Sequence, residues 1–399
     1  MLVTADRVFG GHLYVRNGKI AAISDDGTLP AREELDAAGL YVLPGMLDCH
    51  AHINDPGFTW REDLPHASEA AAVGGVTTLI DMPLQNTPPL TSADAFANKL
   101  AVFEGRSLVD YALWGGLVTD NTAELAGMDA AGAVGFKAFI APVSLGYSSV
   151  DMGLAREALF RIKAFGGLAG FHCEDHALIC AGEAKAKAGG GTRRAFLDSR
   201  PVVAEVIATA NVIELARETG ARVHICHVSH PRVAELVRRA QADGLSVTGE
   251  TCPHYLVFTE ENLLSCGTVF KCAPPLRTAE ARDGLWEYVL DGTLSCIAVA
   301  SRRKGRGGTR RHGRVGRPQR SPEPRAGHVR SGRDPARVQP EPAGPVRLLR
   351  REGVRPRRPQ GRARRRARRG RRPDRSGQGL DDHRSFPAVS QSVLGLRRA

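Results

Sequence analysis

Five side chains in this sequence could do chemistry together. The run Asp48-Cys49-His50-Ala51-His52 places two imidazoles at i and i+2, on one side of an extended segment. His172 opens HCED, His227 lies within HICHVSH, and Lys137 is an ammonium inside the apolar GFKAF. Neutral imidazoles are the commonest nitrogen ligands of zinc and related divalent cations. A lysine unpaired in an apolar strand must deprotonate, find a partner or be modified. Each residue alone has an ordinary reading, since a single strand-end histidine is more often hydrogen-bonded scaffold than a ligand. Their convergence on four strand ends favours a metal centre. His66, His176, His224 and His230 lack that placement and read as structural or solvent-facing. Glu174 and Asp175 stand where they could orient His172 from behind.

The elements that must hold these residues alternate. Apolar, strand-like runs start near Tyr41, Val76, Tyr111, Val134, Leu168, Val223, Leu245 and Leu294. Amphipathic stretches separate several of them, such as RPVVAEVIATANVIELARETG from Arg200 and HPRVAELVRRAQADG from His230. Strands apolar on both faces imply a parallel sheet covered on both sides. Eight of them over roughly 255 residues fit an α/β fold of the (β/α)8, TIM-barrel type, which collects function at strand C-termini. A doubly wound sheet is the weaker alternative, because no glycine-rich phosphate loop follows a strand. Residues 1–44 read as a small β domain, with Asn17-Gly18 as a hairpin turn. Residues 45–298 read as the barrel.

Composition divides the chain of 399 residues sharply. Residues 1–300 carry 24 Lys+Arg against 36 Asp+Glu, whereas 301–399 carry 31 against 7, and 30 of those 31 are Arg. So basic a stretch, with Phe386 its single aromatic residue, cannot bury enough apolar surface to offset chain entropy. The region 299–399 is expected to be disordered or out of frame. All eight cysteines precede it, mostly inside apolar runs, without a CxxC pair. No leader and no run of about 20 apolar residues is present. A cytoplasmic protein with reduced thiols is expected, with no membrane partner.

The motifs PGMLDCHAHINDPG, GGVTTLIDMP, GFKAF, HCED, SRPVVAE, HICHVSH, ETCPHYL and KCAPPLR carry a resemblance. Over about residues 2–298 the chain resembles the cyclic amidohydrolases, the group of allantoinase, dihydropyrimidinase (hydantoinase) and dihydroorotase. The stretches around WREDLPHASEAAAVGGVTTLIDMPLQNTPP and GTVFKCAPPLR look closest to allantoinase. Asn54 stands where dihydroorotases usually carry an arginine for the substrate carboxylate. The resemblance implies metal-dependent hydrolysis of a cyclic amide, allantoin to allantoate first, with hydantoinase or dihydroorotase activity as the alternatives. It implies two divalent metal ions, usually zinc, with His50 and His52 on one and His172 and His227 on the other. Lys137 would bridge them as a carbamate. Asn54, Cys272, Ala273 and Pro274 match positions near the substrate, a small cyclic ureide, and a homo-oligomer (dimer or tetramer) is the family habit.

The pattern breaks at the end of strand eight. There the family carries an aspartate that binds the first metal and moves a proton from the attacking water to the leaving nitrogen. This chain continues Val299-Ala300-Ser301-Arg302-Arg303, and no aspartate occurs between Asp291 and Asp334. The catalytic residue is therefore unassigned, and composition flips at the same point. Two expectations follow: residues 299–399 are a frameshifted translation, or the chain is a catalytically silent scaffold. A nucleic-acid-binding arm fits less well, for want of aromatic residues to stack on bases. A missing tail would also leave the outer faces of strands one and eight bare, and the N-terminal strands without their usual C-terminal partners.

Overall fold

The computed structural model describes residues 1–143, 147–299 and 395–398. They form two compact units, one holding Met1–Gly45 with Gly395–Arg398, the other beginning at Met46. All eight expected barrel strands are present in the second. Strand one is Met46–Ala51 and strand two Val76–Asp81; strand three is Asp110–Leu113, interrupted at Trp114 and resumed at Gly115–Gly116. Strands four to eight are Phe136–Phe139, Leu168–His172, Arg222–Ile225, Val247–Thr251 and Cys296–Ile297. Every ladder between neighbours is parallel. Helices follow the strands and close the outside, among them Leu64–Gly74, Ala93–Phe103, Met152–Ala164, Val202–Thr219 and Pro231–Ala242.

The loops from strand to helix end in capping residues. Asp63, Ser92, Asp151 and Asp175 each accept a hydrogen bond from a backbone N–H of the first turn, which satisfies donors the helix cannot. Inside the barrel, Trp114 packs where a side chain on Gly135 or Gly170 would intrude. A Cβ at Gly135 would lie 2.5 Å from the indole ring, and one at Gly170 3.1 Å from it. The indole Nε1 donates to the Cys49 carbonyl at 3.1 Å. Strand one is thereby held from inside, one residue before His50.

The end of strand two is fixed by a buried ion pair. Lys99 reaches in from Ala93–Phe103 and donates to Asp81, to the Asn86 side chain at 2.5 Å and to the Ile53 carbonyl at 3.0 Å. Asp81 also accepts from the Ile53 N–H. Burial pushes the Asp81 carboxyl up to about 6, with Lys99 pulling against that shift. The pair ties strand two to the segment following His52.

Closure departs from expectation. Among the described residues, strand eight pairs with strand seven through Glu250↔Cys296 and Thr251↔Ile297, and no ladder joins it to strand one. Side chains bridge the seam instead: the Val299 N–H donates to Asp48 Oδ1 at 3.2 Å, and the Cys49 and Cys296 sulfurs lie 3.4 Å apart. Met46, Leu47 and Ile297 are exposed there. The Arg-rich segment itself lies outside the described residues.

In the small unit, His12–Arg16 and Lys19–Ser24 form the expected hairpin, with Asn17 at φ 56° and Gly18 at φ 74° in its turn. Leu2–Val3 pairs with Val8–Phe9 and with Leu40–Leu43. Contrary to the expectation of an unpartnered edge, Gly395–Arg398 runs antiparallel along Leu40–Leu43. Backbone groups of an edge strand accept any chain of suitable register, so four residues suffice.

Removing one partner of a buried ion pair leaves the other charge uncompensated, at about 3–5 kcal/mol. Lys99→Met should lower the urea midpoint of the barrel accordingly. A midpoint unchanged within error would show that Lys99 and Asp81 are not a structural pair.

Candidate metal centre and its cavity

Four strand ends deliver their side chains to one place. His50 and His52 end strand one, His172 ends strand five, and His227 follows strand six in a left-handed backbone conformation, φ 42°. A non-glycine residue held there is strained, a condition common at functional sites. Ring centroids separate by 5.2 Å for His50–His52, 5.4 Å for His50–His227 and 4.6 Å for His172–His227. All four rings line a cavity of about 1240 Å³. Beneath them lies Lys137, 0 % exposed, whose Nζ has no hydrogen-bond partner among the described residues. It lies against the Phe139 ring, 5.0 Å to the centroid, and beside the Cys226 thiol.

Carboxylates stand behind two of the imidazoles. Glu174 Oε2 accepts from His172 Nε2 at 2.7 Å and is itself held by Arg200 at 2.6 Å. Glu250 Oε1 accepts from His50 Nδ1 at 2.5 Å. Burial pushes the His50, His172 and His227 imidazoliums down, so the rings are neutral and offer lone pairs. Burial also pushes Glu250 up, yet the facing His50 and His224 outweigh it and hold the carboxyl well below its usual range. Glu174 is lowered in the same sense, with His172 and Arg200 opposing burial. Burial drives the Cys226 thiol up to about 12, which keeps this neighbour of His50 and Glu250 protonated.

The donor set suits divalent metal. With its Nε2–H committed to Glu174, His172 presents Nδ1, 3.1 Å from His227 Nε2. Two nitrogens on one tetrahedral ion with bonds of about 2.0–2.1 Å stand roughly 3.3 Å apart. His50, with Nδ1 committed, keeps Nε2 for a ligand. Lys137 Nζ, buried below the four imidazoles, is within reach of the same space that these rings face.

Cys272 and Ala273 lie on the cavity wall, and Asn54 and Pro274 do not. Asn54 is buried with Nδ2 on the His52 carbonyl at 3.3 Å, and the Pro274 carbonyl is taken by the Tyr255 hydroxyl at 2.6 Å. Both are held by the fold rather than turned to the cavity. Of the histidines set aside, His66 is exposed beside Asp63 and His176 is exposed, while His230 caps Pro231–Ala242. His224 is buried against Thr248 and Glu250. Asp175 caps His176–Ala188, so only Glu174 of that pair touches His172.

Sequence reading missed Glu250 and a second cluster. Arg277 donates to the Ser229 hydroxyl at 2.9 Å, to the Arg200 carbonyl at 2.7 Å and to Glu205 at 3.1 Å. Glu205 also accepts from the Ser229 N–H and hydroxyl. SRPVVAE, HICHVSH and KCAPPLR thus meet in one buried network bracing the loops after strands five, six and seven.

Comparison with known proteins decides the family. Residues 39–232 match the dihydro-orotase-like family model. The chain is 40% identical to the allantoinase of Streptomyces avermitilis over 75% of this chain and 67% of that one, and 39% identical to the Escherichia coli K12 allantoinase over 71% and 64%. Among solved structures, L-hydantoinase from Arthrobacter aurescens is 37% identical with TM-score 0.73, covering 76% of this chain and 68% of its own. A D-hydantoinase is 30% identical with TM-score 0.71, covering 77% and 68%. The chain belongs to the dihydroorotase-like cyclic amidohydrolases. It spans about two thirds of the length of the curated relatives it matches. For an amidohydrolase, the cavity and the strand-end histidines are where the family's TIM barrel places its chemistry. No helix among the described residues is long and apolar enough to cross a membrane.

The cavity histidine His254 and the capping His230 are both pushed down to about 4 from 6.5, chiefly by burial. Unfolding lets each take up a proton below about pH 6.5, so stability is full above that value and falls as pH drops towards 4. Thermal melts from about pH 7 to about pH 4.5 should show the midpoint descending through this window. A flat midpoint would mean that both histidines protonate freely in the fold.

Proposed function

We propose that this amidohydrolase chain derives from an enzyme that opens a cyclic ureide by hydrolysing a ring C–N amide bond, with allantoin as substrate and allantoate as product. The observation that carries the chemistry is Lys137, 0 % exposed, beside the four imidazoles that line the cavity. Allantoinases at about 40% identity carry the substrate; the likeness to hydantoinase structures makes hydantoin the second substrate to try.

In this reading His50 and His52 would hold one divalent ion and His172 and His227 the other, with a carbamylated Lys137 as a further ligand. Zinc is the first candidate. A bound metal pair supplies Lewis acidity to the amide carbonyl and lowers the pKa of water. The chain's own residues do the positioning. Glu174 and Arg200 hold His172, the Arg277–Glu205–Ser229 network fixes the loop carrying Arg200, and the cavity wall around Tyr255, Cys272 and Ala273 receives the ring. Proton delivery to the leaving nitrogen falls to the aspartate that the family places just past Ala298. Val299 stands on the cavity wall, its N–H on Asp48 beside His50, so this is the place where that carboxylate belongs and where the sequence departs from the family. We therefore read 299–399 as an out-of-frame segment, 45–298 as the barrel and 1–44 as half of the small domain. Free thiols at all eight cysteines fit the cytoplasm, and a homo-oligomer is proposed by family.

Lys137→Ala and His227→Ala should lose most bound zinc by plasma emission analysis, while His66→Ala, at an exposed site, keeps it. Unchanged stoichiometry in Lys137→Ala would remove that residue from the site. On allantoin, the chain as written should turn over at below one-hundredth the rate of a frame-corrected version, since acid–base help is worth about 10²–10⁴-fold. Equal rates would overturn the assignment of the proton step. Hydrolysis of hydantoin or dihydroorotate, with none of allantoin, would overturn the substrate.

A further inference from the structure

Glu250 lies on strand seven, which contributes no residue to the metal set proposed above, yet it touches more of that set's support than any other side chain described here. Its carboxylate is 1 % exposed. Oε1 accepts from His50 Nδ1 at 2.5 Å and from the His227 backbone N–H at 3.2 Å. Oε2 takes the Cys49 thiol at 3.3 Å and stands 3.4 Å from His224 Nε2. One carboxylate thus joins the end of strand one, the loop after strand six and the end of strand seven. A carboxylate can only accept, so His50 must carry its proton on Nδ1 and keep Nε2 bare.

We propose that Glu250 is the positioning residue of the site, fixing the ring orientation and tautomer of His50 and the strained backbone of His227, one histidine from each presumed metal position. The proposal deepens the metal reading and rests on it for its consequence, though the tautomer is a property of the metal-free chain. Glu174 acts on His172 alone; Glu250 couples the two halves. Carboxylates behind ligating histidines fix ring orientation and raise ligand basicity, and losing one typically lowers metal affinity 10–100-fold.

The test uses the full chain in two arms. Nitrogen-15 NMR of histidine-labelled, metal-free protein, with the His50 signal assigned by its loss in His50→Asn, should show the Nδ1–H form. Glu250→Gln keeps an acceptor oxygen and should retain that form; Glu250→Ala should release it to a mixture. Titration with cobalt(II), followed by its visible absorption, should show affinity lowered about tenfold in Glu250→Gln and nearer a hundredfold in Glu250→Ala. Glu218→Gln, an exposed residue paired with Arg156 away from the cavity, should match the unaltered chain. Failure of the unaltered chain to bind cobalt would count against the metal reading, and the tautomer arm would then decide the role of Glu250. A mixed His50 tautomer in the unaltered chain would overturn the proposal. So would a Glu250→Ala protein with native circular dichroism that keeps both the Nδ1–H form and its cobalt affinity.

Discussion

A lysine buried beneath four imidazoles is the constraint on which this structure turns. Strand four places Lys137 in register with Gly170 and one pleat from Phe139, wholly out of water, with the Cys226 thiol beside it and no carboxylate hydrogen-bonded to its Nζ among the described residues. No folded protein keeps such a charge without compensation. The rings above it are neutral and offer lone pairs, and the carboxylates Glu174 and Glu250 are already committed to His172 and His50. In the proposed reading, an anionic Lys137 and two cations would engage both the free lone pairs of the rings and the buried nitrogen.

The rest of the barrel can be understood as the means of holding that arrangement. Trp114 braces strand one through the Cys49 carbonyl, in space that Gly135 and Gly170 leave open. Lys99 and Asp81 anchor strand two to the segment after His52. The Arg277–Glu205–Ser229 network locks three loops and, through the Arg200 carbonyl, the guanidinium that supports Glu174. At the seam between strands one and eight the design thins out. Side chains replace a ladder there, apolar faces are exposed, and the chain leaves the family pattern one residue after Ala298. Composition changes at the same point, which is why the proposed reading places a single event in the sequence there.

Much of this was legible beforehand, for a physical reason. Strands buried on both faces are continuous apolar runs, so all eight could be marked, and a charged or imidazole side chain at the end of such a run stands out against them. Lys137 and the four histidines were visible on those terms. Glu250 was not. It sits in an ordinary strand ending, VTGET, and its meaning comes from His50, 200 residues earlier in the chain. The Arg277–Glu205–Ser229 cluster was likewise spread over three motifs whose meeting no local pattern discloses. Asn54 and Pro274 show the converse, since proximity in sequence to site residues did not turn them towards the cavity. The short pairing of Gly395–Arg398 with Leu40–Leu43 was hidden by the composition around it.

The central claim, that Lys137 is carried as an anion between two metal ions, has a direct measurement. The full chain is loaded with zinc in carbon-13-labelled bicarbonate, exchanged into unlabelled buffer and observed by carbon NMR, beside Lys137→Ala treated identically. The account requires one protein-bound carbamate resonance that is absent from the variant and lost on chelation of the metal. Zinc-loaded protein that retains its metal and shows no such resonance would contradict it.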